Sequence, residues 1–327
     1  MKEAFLKNKK VLFSGNQAIA RGAYEAGVKF ASAYPGTPST EILENMPQYK
    51  DDIYSEWSSN EKTALEAGIG ASFAGARTLV AMKHVGLNVA ADPLMTLTYT
   101  GIKGGLVLVV ADDPAMHSSQ NEQDSRHFGR FGKFPILEPS NSQEAKDMVK
   151  IALEISEQFD TPVILRTTTR VAHGESLVSL ETRKESELSL GFDKNNQKYV
   201  MIPAYAKKRH TFVEERLKKL EAYANESPLN QEEINDKKIG FIVSGITYEY
   251  CKEVYPNASY LKLGLTWPLP AQKIKNFAKK VKKLYVIEEL DRFFEENVRL
   301  ILKDKIAVES KPDKLIEGEL DPDKIVE

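Results

Sequence analysis

Cysteine is nearly absent: Cys251 is the one thiol among 327 residues. That excludes a disulfide framework, a cysteine-rich zinc site and an iron–sulfur cluster carried by this chain alone. Charge of one sign is missing too. The 45 lysines and arginines face 47 aspartates and glutamates, so nucleic acid is not an expected partner. No apolar run approaches the ~20 residues needed to span a bilayer. The opening MKEAFLKNKK is charged and unlike a secretory leader. The expectation is a cytoplasmic protein with no membrane contact. No internal repeat is present.

What the chain does have is an ordinary globular balance, 42% apolar and 28% charged, over a length sufficient for two domains. From the start to 177, strands are expected at 11–15, 29–34, 52–56, 78–82, 105–111 and 161–168, with helices between them. GLVLVVA at 105–111 is apolar at every position, the mark of a strand covered on both faces. This alternation argues for a parallel α/β sheet with right-handed crossovers. Between 178 and 236 charge is dense and periodicity weak. TFVEERLKKLEAY reads there as an amphipathic surface helix, and VMIPAY is too apolar to lie free in water. The stretch is expected to drape over the first domain as an interdomain connection, a flexible linker being the alternative. A smaller α/β unit is expected at 237–309, with strands at 239–244, 259–263, 283–288 and 305–309. The polar tail at 310–327 reads as a linker.

Three strand ends attract attention, because open parallel sheets bind ligands there. The helix that opens near Ser58 carries small residues along one side: Ala64, Ala67, Gly68, Ala71 and Gly75. Glycine inside a helix costs about 1 kcal/mol relative to alanine, so a helix accepting Gly68 and Gly70 packs very close to something. Glu61 stands at its head. Ser58-x-x-Glu61 fits a capping box; the other reading is a functional carboxylate. The loop Pro35-Gly36-Thr37-Pro38-Ser39-Thr40 precedes Glu41 in an order that suits a helix N-cap, and its N–H groups and hydroxyls can hold a carboxylate. It also fits a plain proline-rich turn. The third end, Lys83-His84-Val85-Gly86-Leu87-Asn88, singles out His84 among five histidines, as a substrate contact or as a hydrogen-bonded structural residue. Asp112 and Asp113 lack further ligands at helical spacing and do not make a metal site. The polar loop from them to Arg126 is expected to be an internally bonded lip over the site or a subunit contact.

Taken together and in order, NQAIARGAYEAG, AYPGTPSTEI, EWSSNEKTALEAGIGAS, MKHVGLNVAADP, DDPAMHSSQNEQDSR, LRTTTRVAH, WPLPAQKI and VIEELD resemble the 2-oxoacid:ferredoxin oxidoreductase superfamily. Within it the similarity is to the alpha subunits of the indolepyruvate enzymes, and it runs from Leu12 to about Arg299. The resemblance implies a pyrimidine-type thiamin diphosphate-binding domain followed by a transketolase C-terminal-like domain. Glu61 would face N1′ of the aminopyrimidine. A carboxyl with a raised pKa in a low-dielectric cleft can share a proton there and so promote ylid formation. Pro35, Gly36, Ala64, Gly68 and Gly86 would line the cofactor. Thr37 and Ser39 would meet the 2-oxoacid carboxylate, with His84 and Asn88 at the same cleft. Arg126 and Arg170 fall on family motifs and would pair with acidic groups of substrate or partner, or else form interdomain salt bridges.

The resemblance also shows what is missing: a second cofactor domain with its G-D-G…N motif, and a cysteine-clustered segment. The chain is therefore expected to be a split or truncated subunit of a hetero-oligomer. A diphosphate-domain partner or a missing C-terminal half would bring Mg²⁺ and the diphosphate, and any iron–sulfur cluster. A gamma-type or beta subunit, ferredoxin, coenzyme A and an indolepyruvate-like 2-oxoacid complete the implied set. The alternatives are a subunit of a non-oxidative thiamin decarboxylase or carboligase, and a non-catalytic assembly subunit.

Overall fold

The apolar runs assemble into a seven-stranded sheet in the order Leu265–Trp267, Ile136–Leu137, Val163–Thr168, Leu106–Asp112, Thr78–Lys83, Phe30–Ala33, Tyr54–Trp57. The first pair is antiparallel and all the others are parallel. This computed structural model describes residues 9–303, 306–309 and 311–326. The opening octapeptide and the first residue of the strand expected at 305–309 lie outside them.

Strand residues alternate between two cores. Leu79, Ala81, Val107 and Val109 pack on one face with the helices Gly15–Glu25 and Ser142–Phe159. Val80, Met82, Leu108 and Val110 pack on the other with Glu61–Phe73 and Ala91–Thr100. Both faces being covered explains why these runs carry no polar alternation. Local signals fix the helix ends. Ser14 and Gln17 form a reciprocal capping box, and Asn141 accepts from Glu144 N, 3.0 Å away.

The expected strand at 11–15 does not join the parallel sheet. Lys10–Ser14 instead pairs antiparallel with Glu175–Ser179, a strand that runs across residue 177. The charged stretch at 178–236 holds a 24-residue helix, Pro203–Glu226, longer than the 211–223 segment read from the sequence. It buries Val213, Leu220 and Ala224, and Arg216 donates to the carbonyls of Asp160 and Thr98 on the first unit.

A second sheet has the order Val308–Glu309, Lys283–Ile287, Asp236–Val243, Ala258–Leu263, Asn230–Glu233. Its antiparallel edge strand, Asn230–Glu233, lies inside the stretch expected to be connection. The tail is not a free linker. Lys311 Nζ donates to the carbonyls of Glu288 and Leu290. Gly318 N donates to Glu122 (3.0 Å) and Leu320 N to Glu289 (3.1 Å), and Pro322–Val326 packs on the helix Ile246–Val254. Among the described residues no helix is long and apolar enough to cross a membrane.

Candidate functional site at the carboxyl edge of the sheet

Parallel pairing brings five strand ends to one edge. Ala33 stands level with Trp57 and Ala81, Lys83 with Ala111, and Asp112 with Thr168. The loops that leave these ends form the candidate site.

The helix after Trp57 starts two residues later than a Ser58 cap requires. Asn60 is its N-cap, accepting from Thr63 N at 2.9 Å, while Ser58 Oγ pairs with Ser32 Oγ at 2.9 Å. The capping box expected between Ser58 and Glu61 therefore does not form, and the Glu61 side chain is free for other work. Glu61 is only 9% exposed. Its carboxylate makes no hydrogen bond or ion pair among the described residues. It lies against Gly86, where a Cβ would sit 2.5 Å from Glu61 Oε1 and 2.6 Å from its Cγ. No other residue at 86 leaves the carboxylate where it is. As the first residue of its helix, Glu61 also sits at the end whose dipole favours negative charge.

His84 is fully buried. Its Nε2 lies 3.1 Å from both the main-chain and the side-chain oxygen of Asn121. Both are acceptors, so Nε2 carries the proton in the neutral ring and the buried Nδ1 lone pair has no partner. Asn88 is exposed and forms a reciprocal amide pair with Gln123, at 2.7 and 2.9 Å. The lip that supplies Asn121 and Gln123 is internally bonded, as the sequence reading had it. Asp113 accepts from Ser118 N (2.9 Å), Ser119 Oγ (2.6 Å) and, across the edge, Thr169 Oγ1 (2.8 Å). Burial opposes ionisation of Asp113, but these bonds hold its carboxyl below the usual range. Asp112 is buried with Ser125 and with Arg166, whose Nε lies 2.7 Å away.

In the proline-rich loop, Pro35 and Thr37 are exposed and Gly36 half-buried. The Thr37 hydroxyl has no partner among the described residues, and its carbonyl accepts from Ser118 Oγ at 3.1 Å. Ser39 is a correction. It is 1% exposed and donates to Gly36 O at 2.8 Å, so its hydroxyl closes the turn and does not meet a ligand. The expected side-chain N-cap is not made; Thr40 Oγ1 instead accepts from Gly36 N at 2.9 Å.

Four further expectations change. Ala64 and Gly68 do not line a cofactor. Both face the sheet, where a Cβ on Gly68 would lie 2.6 Å from Val80 Cγ2. The small residues let the helix sit close on the β-branched strand beneath it. Arg126 is not at the substrate edge either. It is 1% exposed, with Nε 2.8 Å from Asp124 and Nη1 2.7 Å from Glu288 of the second unit, and Nη2 on the carbonyls of Glu289 and Asp291. It is the interdomain salt bridge of the two readings. Against the effect of burial, Arg126 and Arg166 hold Asp124 down to about 2. Arg170 pairs with Glu319 of the docked tail, Nε to Oε2 at 2.8 Å. Asp124, His127 and Asp291 approach closely enough to share an ion, but both Asp124 oxygens already bond the Arg126 guanidinium.

Sequence reasoning missed Lys83. It ends the central strand, is 9% exposed, and sends Nζ to Ser118 O at 3.0 Å. Its aliphatic stem covers Gly36, where a Cβ would lie 3.0 Å from Lys83 Cδ. A lysine closing an otherwise apolar run was the available signal.

The family model for pyruvate flavodoxin/ferredoxin oxidoreductase, thiamine diphosphate-binding, matches residues 21–234. The chain is 46% identical over 304 residues to indolepyruvate oxidoreductase subunit IorA of Archaeoglobus fulgidus, covering 90% of this chain and 49% of that protein. With the subunit of the same name from Pyrococcus horikoshii it shares 47% over 304 residues, covering 89% and 47%. It thus spans about half the length of these relatives. The 2-oxoglutarate synthase subunit KorA of Methanothermobacter thermautotrophicus is 24% identical over 337 residues, covering 88% and 89%. Among solved structures, 2-oxoglutarate:ferredoxin oxidoreductase from Magnetococcus marinus, with 2-oxoglutarate, coenzyme A and succinyl-CoA bound, aligns at TM-score 0.76 and 17% identity, over 98% of this chain and 64% of that one. A split gene transketolase, an inactive beta4 tetramer, aligns at TM-score 0.60 and 12% identity, over 91% and 88%. These two likenesses bear on the fold alone.

Proposed function

The chain belongs to the pyruvate flavodoxin/ferredoxin oxidoreductase family, and on that premise we propose that it supplies the pyrimidine side of a thiamine diphosphate site in an aryl-pyruvate:ferredoxin oxidoreductase. The substrate would be indolepyruvate or a close analogue, oxidatively decarboxylated to an acyl-CoA. The observation that carries this reading is Glu61: a nearly buried carboxylate at the ligand-binding edge, pressed on Gly86, with no partner among the described residues. A carboxylate in that situation is the acceptor a protonated ring nitrogen needs, and the bare Gly86 backbone leaves room beside it.

Once bound, the cofactor contributes a ring that stabilises carbanions and so acts as an electron sink. The remaining work falls to side chains. Glu61 Oε holds the proton at the pyrimidine N1′, and its shielding from water keeps that exchange local. Gly36 and Pro35 let the loop backbone approach the substrate, and the unengaged Thr37 hydroxyl offers it a hydrogen bond. His84, with an unpartnered Nδ1, is the second group able to exchange a proton at this edge. Asn88 and Gln123 form the rim. The diphosphate, its Mg²⁺ and the electron-transfer clusters are assigned to another polypeptide or to sequence outside these residues.

The test is Glu61→Gln in the complex reconstituted with its partner. Turnover of the 2-oxoacid is expected to fall about 10²–10⁴-fold, the usual contribution of a positioned proton-transfer group, with melting temperature unchanged. Turnover within twofold of wild type would point to a non-catalytic subunit. Decarboxylation without reduction of an acceptor would point to a non-oxidative enzyme.

A further inference from the structure

We infer that Lys83 is the cation that receives the substrate carboxylate. This rests on the 2-oxoacid reading above and adds to it a residue to which the motifs assigned no role.

Lys83 is about nine-tenths buried, yet no carboxylate lies within ion-pair distance among the described residues, and its one hydrogen bond goes to a neutral carbonyl, Ser118 O at 3.0 Å. An ammonium has three N–H donors. Two are thus left without a protein partner, on a cation whose burial is expensive unless it is paired. The three arginines discussed above have carboxylate partners. Arg126 has Asp124 and Glu288, Arg166 has Asp112, and Arg170 has Glu319. Arg216 and Lys311 are also buried without an ion pair among the described residues, but each spends donors on two main-chain carbonyls, whereas Lys83 has one.

Its position says what that counterion is. The stem runs across Gly36, with Cδ and Cγ 3.0 and 3.1 Å from where a Cβ would stand. Ser118, which receives the ammonium on its carbonyl, sends its hydroxyl to Thr37 O at 3.1 Å. The charge therefore ends at the lip residue that also bonds the Gly36–Thr37 loop, whose Thr37 hydroxyl has no partner among the described residues. It leaves the same strand end as Gly86, on which Glu61 lies, three residues further along and about one helical turn away. An anion entering between these loops meets one cation and one hydroxyl, a matched pair for a carboxylate. Glu61 lies against Gly86, which is on the segment that follows this strand end.

Lysine also suits the chemistry. An arginine fork would grip the carboxylate through two parallel bonds, whereas a single ammonium orients it and lets it go. Because that group departs as carbon dioxide, the contact is stronger in the bound substrate than in the decarboxylation transition state. Its loss should therefore appear in binding before turnover.

The experiment uses the holo complex with its partner subunit and two probes. Phenyllactate keeps the aryl chain and the carboxylate but has no reactive carbonyl; its methyl ester lacks the charge. Calorimetric titration of Lys83→Met is expected to show phenyllactate binding weakened about 10- to 100-fold, the size of a hydrogen bond to a charged group, while the ester binds as to wild type. Steady-state KM for the aryl pyruvate should rise by a similar factor, with kcat changed less than threefold. Lys83→Gln, which keeps a donor for Ser118 O, should behave alike, and serves if the methionine variant does not fold. Lys83→Arg should recover part of the loss. Equal binding of phenyllactate by wild type and both neutral variants overturns the inference. So does equal weakening of acid and ester, which would mean that Lys83 only holds the lip in place. Failure of the 2-oxoacid reading itself is seen separately, as absence of aryl-pyruvate turnover in the wild-type complex.

Discussion

Replacing Gly86 by alanine puts a methyl group where the Glu61 side chain already lies. The added carbon would stand 2.5 Å from Oε1, 2.6 Å from Cγ and 2.8 Å from Cδ. Ordinary carbon contacts begin near 3.5 Å, so the carboxylate must retreat by about 1 Å. Nothing in the described residues holds it back, because Glu61 makes no hydrogen bond there, and its movement toward solvent is inexpensive. Gly86 lies within the helix His84–Val89 and has no positive φ, so alanine gains up to ~1 kcal/mol of helix propensity. Stability and activity should therefore separate. Melting temperature should hold or rise slightly, while a displacement of that size at the reacting group lowers turnover about 10²-fold. Calorimetry on the purified chain and single-turnover kinetics on the partnered complex read the two quantities. Wild-type turnover from a folded Gly86→Ala variant would refute the placement of Glu61 in the chemistry.

Two glycines of one helix should answer in opposite directions. Gly68→Ala drives a Cβ to 2.6 Å from Val80 Cγ2 and should destabilise by about 1–3 kcal/mol, whereas Gly70→Ala meets nothing within 4 Å and should stabilise by up to ~1 kcal/mol in urea titrations. Burial pushes Glu289 up to about 7, above its unfolded value, so the native state holds this proton more tightly. Its contribution is fully present below about pH 4.5 and is lost as pH rises toward 7; Glu289→Gln should match wild type at about pH 4 and exceed it by about 3 kcal/mol at about pH 8. Equal pH slopes in the two proteins would contradict this. Burial raises the Cys251 thiol to about 12, so it should react with an aromatic disulfide reagent only at the rate of unfolding, and rapid labelling of native protein would show the site to be open.

Much of the central sheet could be read from local sequence, because runs such as 78–82 and 105–111 are apolar without interruption. Ile136–Leu137 and Leu265–Trp267 could not. Two or three residues carry no periodicity, and their pairing joins distant parts of the chain. At the site, Glu61 and the Pro35–Thr37 loop were legible as motifs. The choice of Asn60 over Ser58 as cap was not, since both residue types cap well and a tertiary contact, Ser58 to Ser32, decides between them. The smooth face of the Glu61 helix was seen correctly as a close-packing surface and assigned to the wrong neighbour: what it accommodates is Val80. Arg126 and Arg170 were visible as charges, but their acidic partners, Glu288 and Glu319, lie more than a hundred residues away. Lys83 was overlooked because it reads as the end of a strand, and only burial with a single hydrogen bond and no counterion among the described residues makes it unusual.

The short ribbon Leu265–Trp267 gives the molecule an unexpected indivisibility. It leaves the second lobe to close the rim of the first, and Trp267 packs there on the first lobe's core and close to Gly129, while its ring meets Phe293 of its own lobe. Severing the polypeptide near residue 236 would bare the Ile136–Leu137 rim, a template for stray strand pairing, and would strip the indole from both sides at once. The two lobes are therefore expected to unfold as one block.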